Sequence, residues 1–541
     1  MVKKNSLVKN ASILMIATII SRIIGLIYRR PLGEILGSVG LGYYGYASNL
    51  YSILLLVSSY SIPMAVSKIV SERLAKKEYK NAQKIFKTAL IYAVVVGGAA
   101  ALVAFFGGSI LLPSNQQNAL PALRVLAPTI FLSAILGVLR GYFQAHHNMT
   151  PTSISQVLEQ IMNAVVSILA AWILVNSLGA GSVEKTAVYG AVGGTLGTSA
   201  GVIVGLIFML FVYFLNKKTF RKRYLRDIHG KEDSYRDAFG LIFLMVTPII
   251  LTTFINNASN YLDSYLYAGI QGMHGINANS ISAAYGEFSN YYIPVINIPL
   301  ALASASTSAM MPEVSGYFAV GDNKSANSSI NKTIKLTMFI CIPATVGLTV
   351  LAHPIMGVLF PAASDVATKL LVTGSLYVVF TALCTVTGGA LQSIGKQRTA
   401  LINAAVALGI NLASLAVMLL VAPGLDIYAV MISGIIFSVA YCILNEISIK
   451  KYLGFKARMK DTYVNPLIAS AFMAVVAAVI YYLIFFATRR PFIGLIISVI
   501  AAVAAYLVFY VLFGRIPEEE LRRYPMGTKL VKIMRLIRVY R

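Results

Sequence analysis

The sequence predicts an all-α, polytopic membrane protein of fourteen transmembrane helices, two six-helix lobes in parallel pseudo-twofold repeat plus two extra C-terminal helices. Three observations carry this prediction. Hydrophobic residues fill 57% of the 541 positions and charged ones only 12%, with a mean hydropathy of +0.75, which no ordinary soluble domain reaches. Apolar segments recur at 10–28, 43–66, 88–112, 120–143, 153–176, 187–215, 238–261, 283–311, 334–360, 370–392, 399–421, 427–447, 465–486 and 491–513, each near the roughly 20 residues that cross a hydrocarbon core as a helix. Finally, Tyr44-Gly-Tyr-Ala-Ser-Asn-Leu-Tyr51 is echoed 241 positions later by Tyr285-Gly-Glu-Phe-Ser-Asn-Tyr-Tyr292, the mark of an internal duplication. A second offset of 248 pairs Gly141-Tyr-Phe-Gln144 with Gly389-Ala-Leu-Gln392, and Lys84-Ile-Phe-Lys87 with Lys332-Thr-Ile-Lys335.

The organisation follows from these segments. Residues 1–216 form an N-lobe of six spans, 217–237 a charged cytoplasmic linker, and 238–450 a C-lobe of six spans. Spans thirteen and fourteen (451–514) carry no third copy of the motif, and 515–541 is a basic tail. Each lobe has an even number of spans, so both copies enter the membrane from the same side. The pseudo-twofold then runs along the membrane normal, as in a parallel repeat.

The net charge of +25 would suit a nucleic-acid partner, so its distribution decides the matter. With both termini cytoplasmic, every Lys and Arg except Arg22, Arg29, Arg30, Arg124, Lys185, Lys369, Arg489 and Arg490 falls on the cytoplasmic side. That is the positive-inside pattern, and no nucleic acid is needed to explain the charge. In the tail, Lys529, Lys532, Arg535, Arg538 and Arg541 recur every third residue, which walks the charge around a helix and reads as a basic segment at anionic headgroups.

Several chemistries are disfavoured. Cys341, Cys384 and Cys442 lie in apolar stretches without paired or metal-ligand spacing, so neither a disulfide framework nor a zinc site is expected. The first apolar block lacks a small-residue cleavage site and is read as a retained helix. Gly389 to Lys396 imitates a phosphate-binding loop, but the spacing is one residue too long and Gln397 stands where a magnesium-binding Ser or Thr belongs. His146 and His147 have no cysteine or carboxylate cluster beside them. No enzyme and no cofactor is expected; a coupling cation is left open.

Candidate site residues are polar groups at membrane depth. Arg22 sits inside the first apolar block and Arg29 follows seven residues on, about 700 degrees around a helix and so nearly on the same face. Arg30 is beside it. Charge at that depth usually faces a partner or cavity, and a guanidinium fork matches phosphate oxygens. The competing reading places Arg29 and Arg30 at the headgroups and pairs Arg22 with a carboxylate. In the seventh span Asn256, Asn260 and Asp263 form one stripe, flanked by Asn257 and Ser264; in the fifth, Gln156, Glu159, Gln160 and Asn163 form another. Glu287 and Asn290 lie within the repeated motif of the eighth. Such stripes hold a substrate or a cation, with Asp263 the ion-coupling candidate, or join helices by hydrogen bonds. Pro63, Pro294, Pro299 and Pro312, and the pairs Gly97-Gly98, Gly193-Gly194 and Gly388-Gly389, permit bends and close helix approach.

Ser21-Arg22-Ile-Ile-Gly25-Leu-Ile-Tyr-Arg29-Arg30-Pro-Leu, Tyr44 to Tyr51, and Ser61-Ile-Pro-Met-Ala-Val-Ser-Lys68 together resemble MurJ-type lipid II flippases of the multidrug/oligosaccharidyl-lipid/polysaccharide (MOP) exporter superfamily, within the Gram-positive YtgP/SpoVB-like branch. The resemblance implies two lobes around a V-shaped cavity, a lipid-facing groove made by helices 13 and 14, and cavity arginines that bind a diphosphate. Arg22 matches the family's first arginine directly, and Arg29 matches the second after a shift of one residue. Where the family carries arginines in helices 2 and 8, this chain has Leu54-Leu-Leu56 and the stretch from Glu287 to Asn290. Sodium-linked members have an acid in helix 7, here Asp263, and another in helix 11, where this chain offers Asn403 and Asn411.

The function these readings imply is translocation of an undecaprenyl-diphosphate-linked cell-wall precursor, lipid II foremost, from inner to outer leaflet of a Gram-positive cell membrane by alternating access. Its partners are the lipid-linked oligosaccharide, membrane lipids and, left open, cell-wall synthesis enzymes. The alternatives are a flippase for teichoic-acid or capsular repeat units, a cation-coupled multidrug antiporter, and a non-transporting cell-wall scaffold.

Overall fold

The computed structural model describes residues 17–514 apart from 61, 147, 180, 226, 228–233 and 456–459, together with 518, 531 and 535; at 60, 223, 248, 249, 251–253, 255 and 256 it describes backbone alone. His147, the N-terminal lysines, Lys529, Lys532, Arg538, Arg541 and the side chain of Asn256 therefore lie outside the described residues.

Every regular element among the described residues is helical. The chain divides into two units, Met1–Asn290 and Tyr291–Arg541. The first holds α1 (Ala17–Ile27), α2 (Arg29–Leu55), α3 (Ile62–Ala75), α4 (Tyr79–Leu111), α5 (Leu120–Ala145), α6 (Thr150–Leu178), α7 (Val183–Leu225), α8 (Tyr235–Met273) and α9 (Ala278–Glu287). The second holds α10 (Ile293–Ala319), α11 (Asn323–Val350), α12 (Ala352–Leu359), α13 (Asp365–Gly374), α14 (Leu376–Ser393), α15 (Gln397–Val421), α16 (Ile427–Leu453), α17 (Asn465–Thr488) and α18 (Pro491–Gly514). Among the described residues, twelve runs of helix are long and apolar enough to cross a membrane. With α1 and α8 they account for the fourteen expected spans, and the chain is a multi-pass membrane protein.

The first span is longer than its apolar block. Tyr28 keeps helical geometry, its N–H reaching Ile24 O (3.1 Å) and its carbonyl taking Leu32 N (3.2 Å), so one helix runs from 17 to Leu36. Gly37 ends it, with φ +64° and ψ 172°, a conformation glycine adopts without a Cβ penalty. The chain kinks there and continues as helix to Leu55, and Asn290 bridges the two sides of the kink, accepting from Arg29 through its carbonyl and donating to Leu41 O through its amide. Arg29 and Arg30 therefore lie within the first helix, two turns before its end.

Three π turns occur among the described residues, at Leu56–Tyr60, Phe288–Tyr292 and Lys460–Val464. Each comes two or three residues before a proline: Pro63, Pro294 and Pro466. Proline cannot donate to the carbonyl four residues back, and a local shift to i→i+5 bonding absorbs the mismatch. The glycine pairs also have a physical use. A Cβ at Gly97 would meet Ala134 of α5, at Gly193 the backbone of Ala171 of α6, and at Gly389 the Thr307 side chain of α10, so the absence of side chains lets these helices touch.

In the first unit Val66, Phe86, Ala89, Leu136, Tyr142, Met209 and Val246 form a continuous core. In the second, Phe339, Met473, Ala477, Tyr506 and Tyr510 bring α11, α17 and α18 together, and Tyr506 OH donates to Phe339 O at 2.8 Å. Asn403 donating to Asn445 Oδ1 (3.0 Å) and Thr381 bonding Ser438 (2.9 Å) tie α14, α15 and α16. All three cysteines are free thiols.

Candidate functional site

The two copies of the repeated motif lie against each other. On α2, Gly42 is so close to Ser282 of α9 that a Cβ would collide with its carbonyl, Gly45 faces Ser289 Oγ, and Gly286 in turn faces the Ser38 carbonyl and the Gly42 N–H. Tyr46 and Tyr285 stack with centroids 4.3 Å apart. The glycines therefore serve close packing, and the polar residues of the motif work across the contact. Asn49 Nδ2 donates to Asn260 O (2.8 Å), Ser264 Oγ (3.1 Å) and Tyr285 OH (3.1 Å). Asn290 Nδ2 donates to Leu41 O (2.9 Å) and to Ser289 Oγ (2.9 Å). Buried Glu287 accepts from Ser38 Oγ at 3.0 Å.

Arg29 completes this group. Its Nη1 donates to the carbonyls of Asn290 (3.2 Å) and Ser289 (3.4 Å). Pro294 has no N–H, so the carbonyl it would serve, Asn290 O in α register or Ser289 O in π register, lacks that backbone donor. Arg22 is exposed on α1, and Arg30 is exposed and pairs with Glu34 one turn on, at 3.5 Å.

The stripe on α6 is used between helices. Gly25 of α1 packs against Gln160, its would-be Cβ 3.3 Å from Nε2. Asn163 Oδ1 accepts from Ser167 Oγ (3.0 Å) and Thr198 Oγ1 (3.5 Å). Glu159 is held by Arg140 of α5: Nη2 to Oε2 is 2.6 Å, and Nε donates to Ser155 Oγ at 2.9 Å. Beside α1, Ser21 Oγ and Gln156 Oε1 are shielded and take no hydrogen bond from the protein. On α8, Asp263 is buried and accepts from Ser259 Oγ at 2.7 Å, whereas Asn260 is exposed and offers its backbone.

Of the residues singled out from sequence, Arg29, Glu287 and Asn290 gather at the α2–α9 contact, and Asn260 joins them through Asn49. Glu159 and Asn163 are placed elsewhere, on α6. Sequence reasoning missed Ser38, Asn49 and Tyr285, although the last two stand in the repeated motif, whose recurrence was the available signal. It also missed the loop between α4 and α5. There Asn115 donates to Ala268 O (2.7 Å) and Gln116 to Ala278 O (3.1 Å), while Asn118 donates to Tyr43 OH (3.1 Å), which donates onward to Asn279 Oδ1 (2.8 Å).

Comparison with known proteins gives this geometry its family. The family described as "Polysaccharide biosynthesis protein" matches residues 7–318. Among relatives, "Lipid II flippase MurJ" of Bacillus subtilis (strain 168) is 26% identical over 502 residues, covering 89% of this chain and 90% of that protein. "Stage V sporulation protein B" of the same organism is 23% identical over 537 residues, covering 98% and 99%. Among solved structures, lipid II flippase MurJ in an inward closed conformation aligns with TM-score 0.66 at 16% identity, over 93% of this chain and 98% of that one. An inward-facing multidrug-resistance MATE transporter aligns with TM-score 0.64 at 17% identity, over 80% and 94%. The MurJ and MATE proteins among these are named as flippase and transporter, not as enzymes. The chain belongs to the family described as polysaccharide biosynthesis proteins.

Proposed function

We propose that this protein is a flippase carrying an undecaprenyl-diphosphate-linked cell-wall precursor, lipid II foremost, from the inner to the outer leaflet by alternating access. The observation that carries the reading is the stripe of guanidinium groups on one unbroken first helix: Arg22 exposed on α1, Arg29 seven residues on, and Arg30 beside it. Membrane-depth arginines bind anionic groups far better than cationic drugs, and a scaffold has no need of them. The Bacillus subtilis relative named for lipid II flipping supports the same cargo. The family description, polysaccharide biosynthesis, supports teichoic-acid or capsular repeat units as the second cargo.

In this reading both termini are cytoplasmic, following the charge bias, and the cell is Gram-positive. Residues 1–216 and 238–450 form the two repeats around the substrate path. Arg22 and Arg29 hold the diphosphate, with Arg30 at its edge. Glu159, Asn163, Asn256, Asn260, Glu287 and Asn290 contribute contacts to sugar and peptide, and Asp263 is the site for a coupling cation. Cell-wall synthesis enzymes draw on the delivered product.

The test is replacement of the essential lipid II flippase of a model bacterium with this protein while outer-leaflet lipid II is followed. Rescue by the wild type and failure of Arg22→Ala supports the reading. Rescue that survives Arg22→Ala with Arg29→Ala removes the site, and drug resistance without rescue favours an antiporter.

A further inference from the structure

Residues 112–119, the loop between α4 and α5, hold the end of α8 and the start of α9 against α2 and α7. Asn115 Nδ2 donates to Ala268 O near the end of α8 (2.7 Å), and Gln116 Nε2 donates to Ala278 O at the start of α9 (3.1 Å). Asn118 Nδ2 donates to Tyr43 OH of α2 (3.1 Å) and to Glu184 of α7, and Tyr43 OH donates onward to Asn279 Oδ1 of α9 (2.8 Å). Just before the loop, Leu111 O accepts from Tyr261 OH of α8 at 2.6 Å. With both termini cytoplasmic, α4 and α8 each run outward, so this cluster stands at the outer face. We propose that the loop is an outer latch: bonded in this way it shuts the outer end of the substrate path, and it lets go of α8 and α9 each time cargo leaves. The inference rests on the alternating-access reading above and goes beyond it by naming the element that opens.

The contacts are of a kind that can break and reform. Asn115 and Gln116 each make a neutral hydrogen bond to a backbone carbonyl, which water replaces at small net cost. Each amide is also only half satisfied: Asn115 Oδ1 and Gln116 Oε1 are shielded and take no hydrogen bond from the protein, and Gln116 is fully buried. A shielded acceptor without a donor penalises the closed form, and wetting of the loop on opening removes that penalty. Closed and open forms are thereby held near balance, as a two-state element requires. A permanent fastening would satisfy both ends of each amide. The seat for Asn115 exists because position 272 on α8 carries no side chain: a Cβ there would lie 2.6 Å from Asn115 Nδ2. Gly272 is not among the glycines of positive φ, so space, and not backbone conformation, calls for glycine at that position.

A disulfide between loop and helix tests the latch. The Cβ position at Gly272 lies 3.9 Å from Asn115 Cβ, within the roughly 3.5–4.5 Å that a disulfide spans. In cells that depend on this protein for outer-leaflet lipid II, Asn115→Cys with Gly272→Cys should deliver it while reduced, lose that delivery when diamide closes the bond, and regain it with dithiothreitol. Neither single-cysteine variant should respond. Delivery that persists with the bond closed, as read by thiol labelling after denaturation, overturns the latch, because loop and α8 then move as one body. The purified full-length protein supplies a readout independent of cargo. Gly272→Ala with Gln116→Ala should release both ties and speed deuterium exchange across residues 270–282 by about threefold or more, the worth of one modest hydrogen bond, with exchange in α5 unaltered. Unchanged exchange across 270–282 overturns the latch, and this measurement decides the matter if the cysteine pair does not deliver even when reduced. Failure of the wild type to deliver refutes the flippase reading, while the exchange result still decides whether the loop holds α8 and α9.

Discussion

Arg140 of α5 and Glu159 of α6 are joined by a 2.6 Å ion pair, with side-chain exposures of 15% and 30%. Ser155 takes a second guanidinium contact at 2.9 Å, so the pair is a fixed junction of two neighbouring helices. Removing one partner leaves a charge with no counter-ion at a site where water reaches it poorly. Arg140→Ala or Glu159→Ala should each cost about 3–5 kcal/mol of stability, discounted for the part of Glu159 that solvent screens. Replacing both by apolar residues of similar volume should recover most of the loss. Thermal unfolding of the detergent-solubilised single and double variants measures this, and additive losses would refute the pairing.

The motif contact predicts a different kind of defect. Gly42→Ala and Gly286→Ala would each drive a methyl group into the backbone of the facing helix, Ser282 and Ser38 respectively. Overpacking of this kind costs about 1–3 kcal/mol. Gly98→Ala, whose Cβ would meet only Phe131 Cδ2 at 3.9 Å, should be near neutral. Unfolding midpoints of the three variants provide the check, and equal midpoints for Gly42→Ala and Gly98→Ala would contradict the close approach.

A third expectation concerns pH at the short connection between α3 and α4. Partial burial pushes the Glu78 carboxyl up, but hydrogen bonds from Arg73 (2.5 Å) and Asn81 (3.4 Å) and the charges of Arg73 and Lys76 outweigh it, leaving the group below its ordinary value of 4.5. A carboxyl lowered by folding adds stability that is fully present above its unfolded value and is lost as pH falls through the folded one. Glu78→Gln should therefore be less stable than wild type at neutral pH, and the two should converge below pH 4.5. Paired melting curves across that range test it; a gap that widens on acidification would reverse the sign and refute the account.

Much of the molecule was legible along the chain. The apolar blocks marked the spans, because crossing a bilayer is a requirement on consecutive residues and needs no knowledge of neighbours. The place of Arg22 in the first apolar block and of Arg29 just after it could be read for the same reason, and so could the recurrence of Tyr-Gly-x-x-Ser-Asn. What the motif was for could not: that Gly42 faces Ser282, or that Asn49 reaches Asn260, Ser264 and Tyr285, depends on how each helix is rotated about its own axis. Glu159 illustrates the same limit, since its stripe was visible but its partner Arg140 stands on another helix.

By itself, then, the sequence determined that this chain is membrane-embedded and helical, that it carries a recurring tyrosine motif, and that arginines stand in and just after its first apolar block. Only the tertiary structure decided that the helix continues to Leu36 before turning at Gly37, that the π turns sit beside prolines, and that Arg29 donates to the carbonyls of Ser289 and Asn290. The physical reason is that hydropathy acts on segments, one at a time, whereas hydrogen bonds act between atoms about 3 Å apart that lie as many as 261 residues apart in the chain.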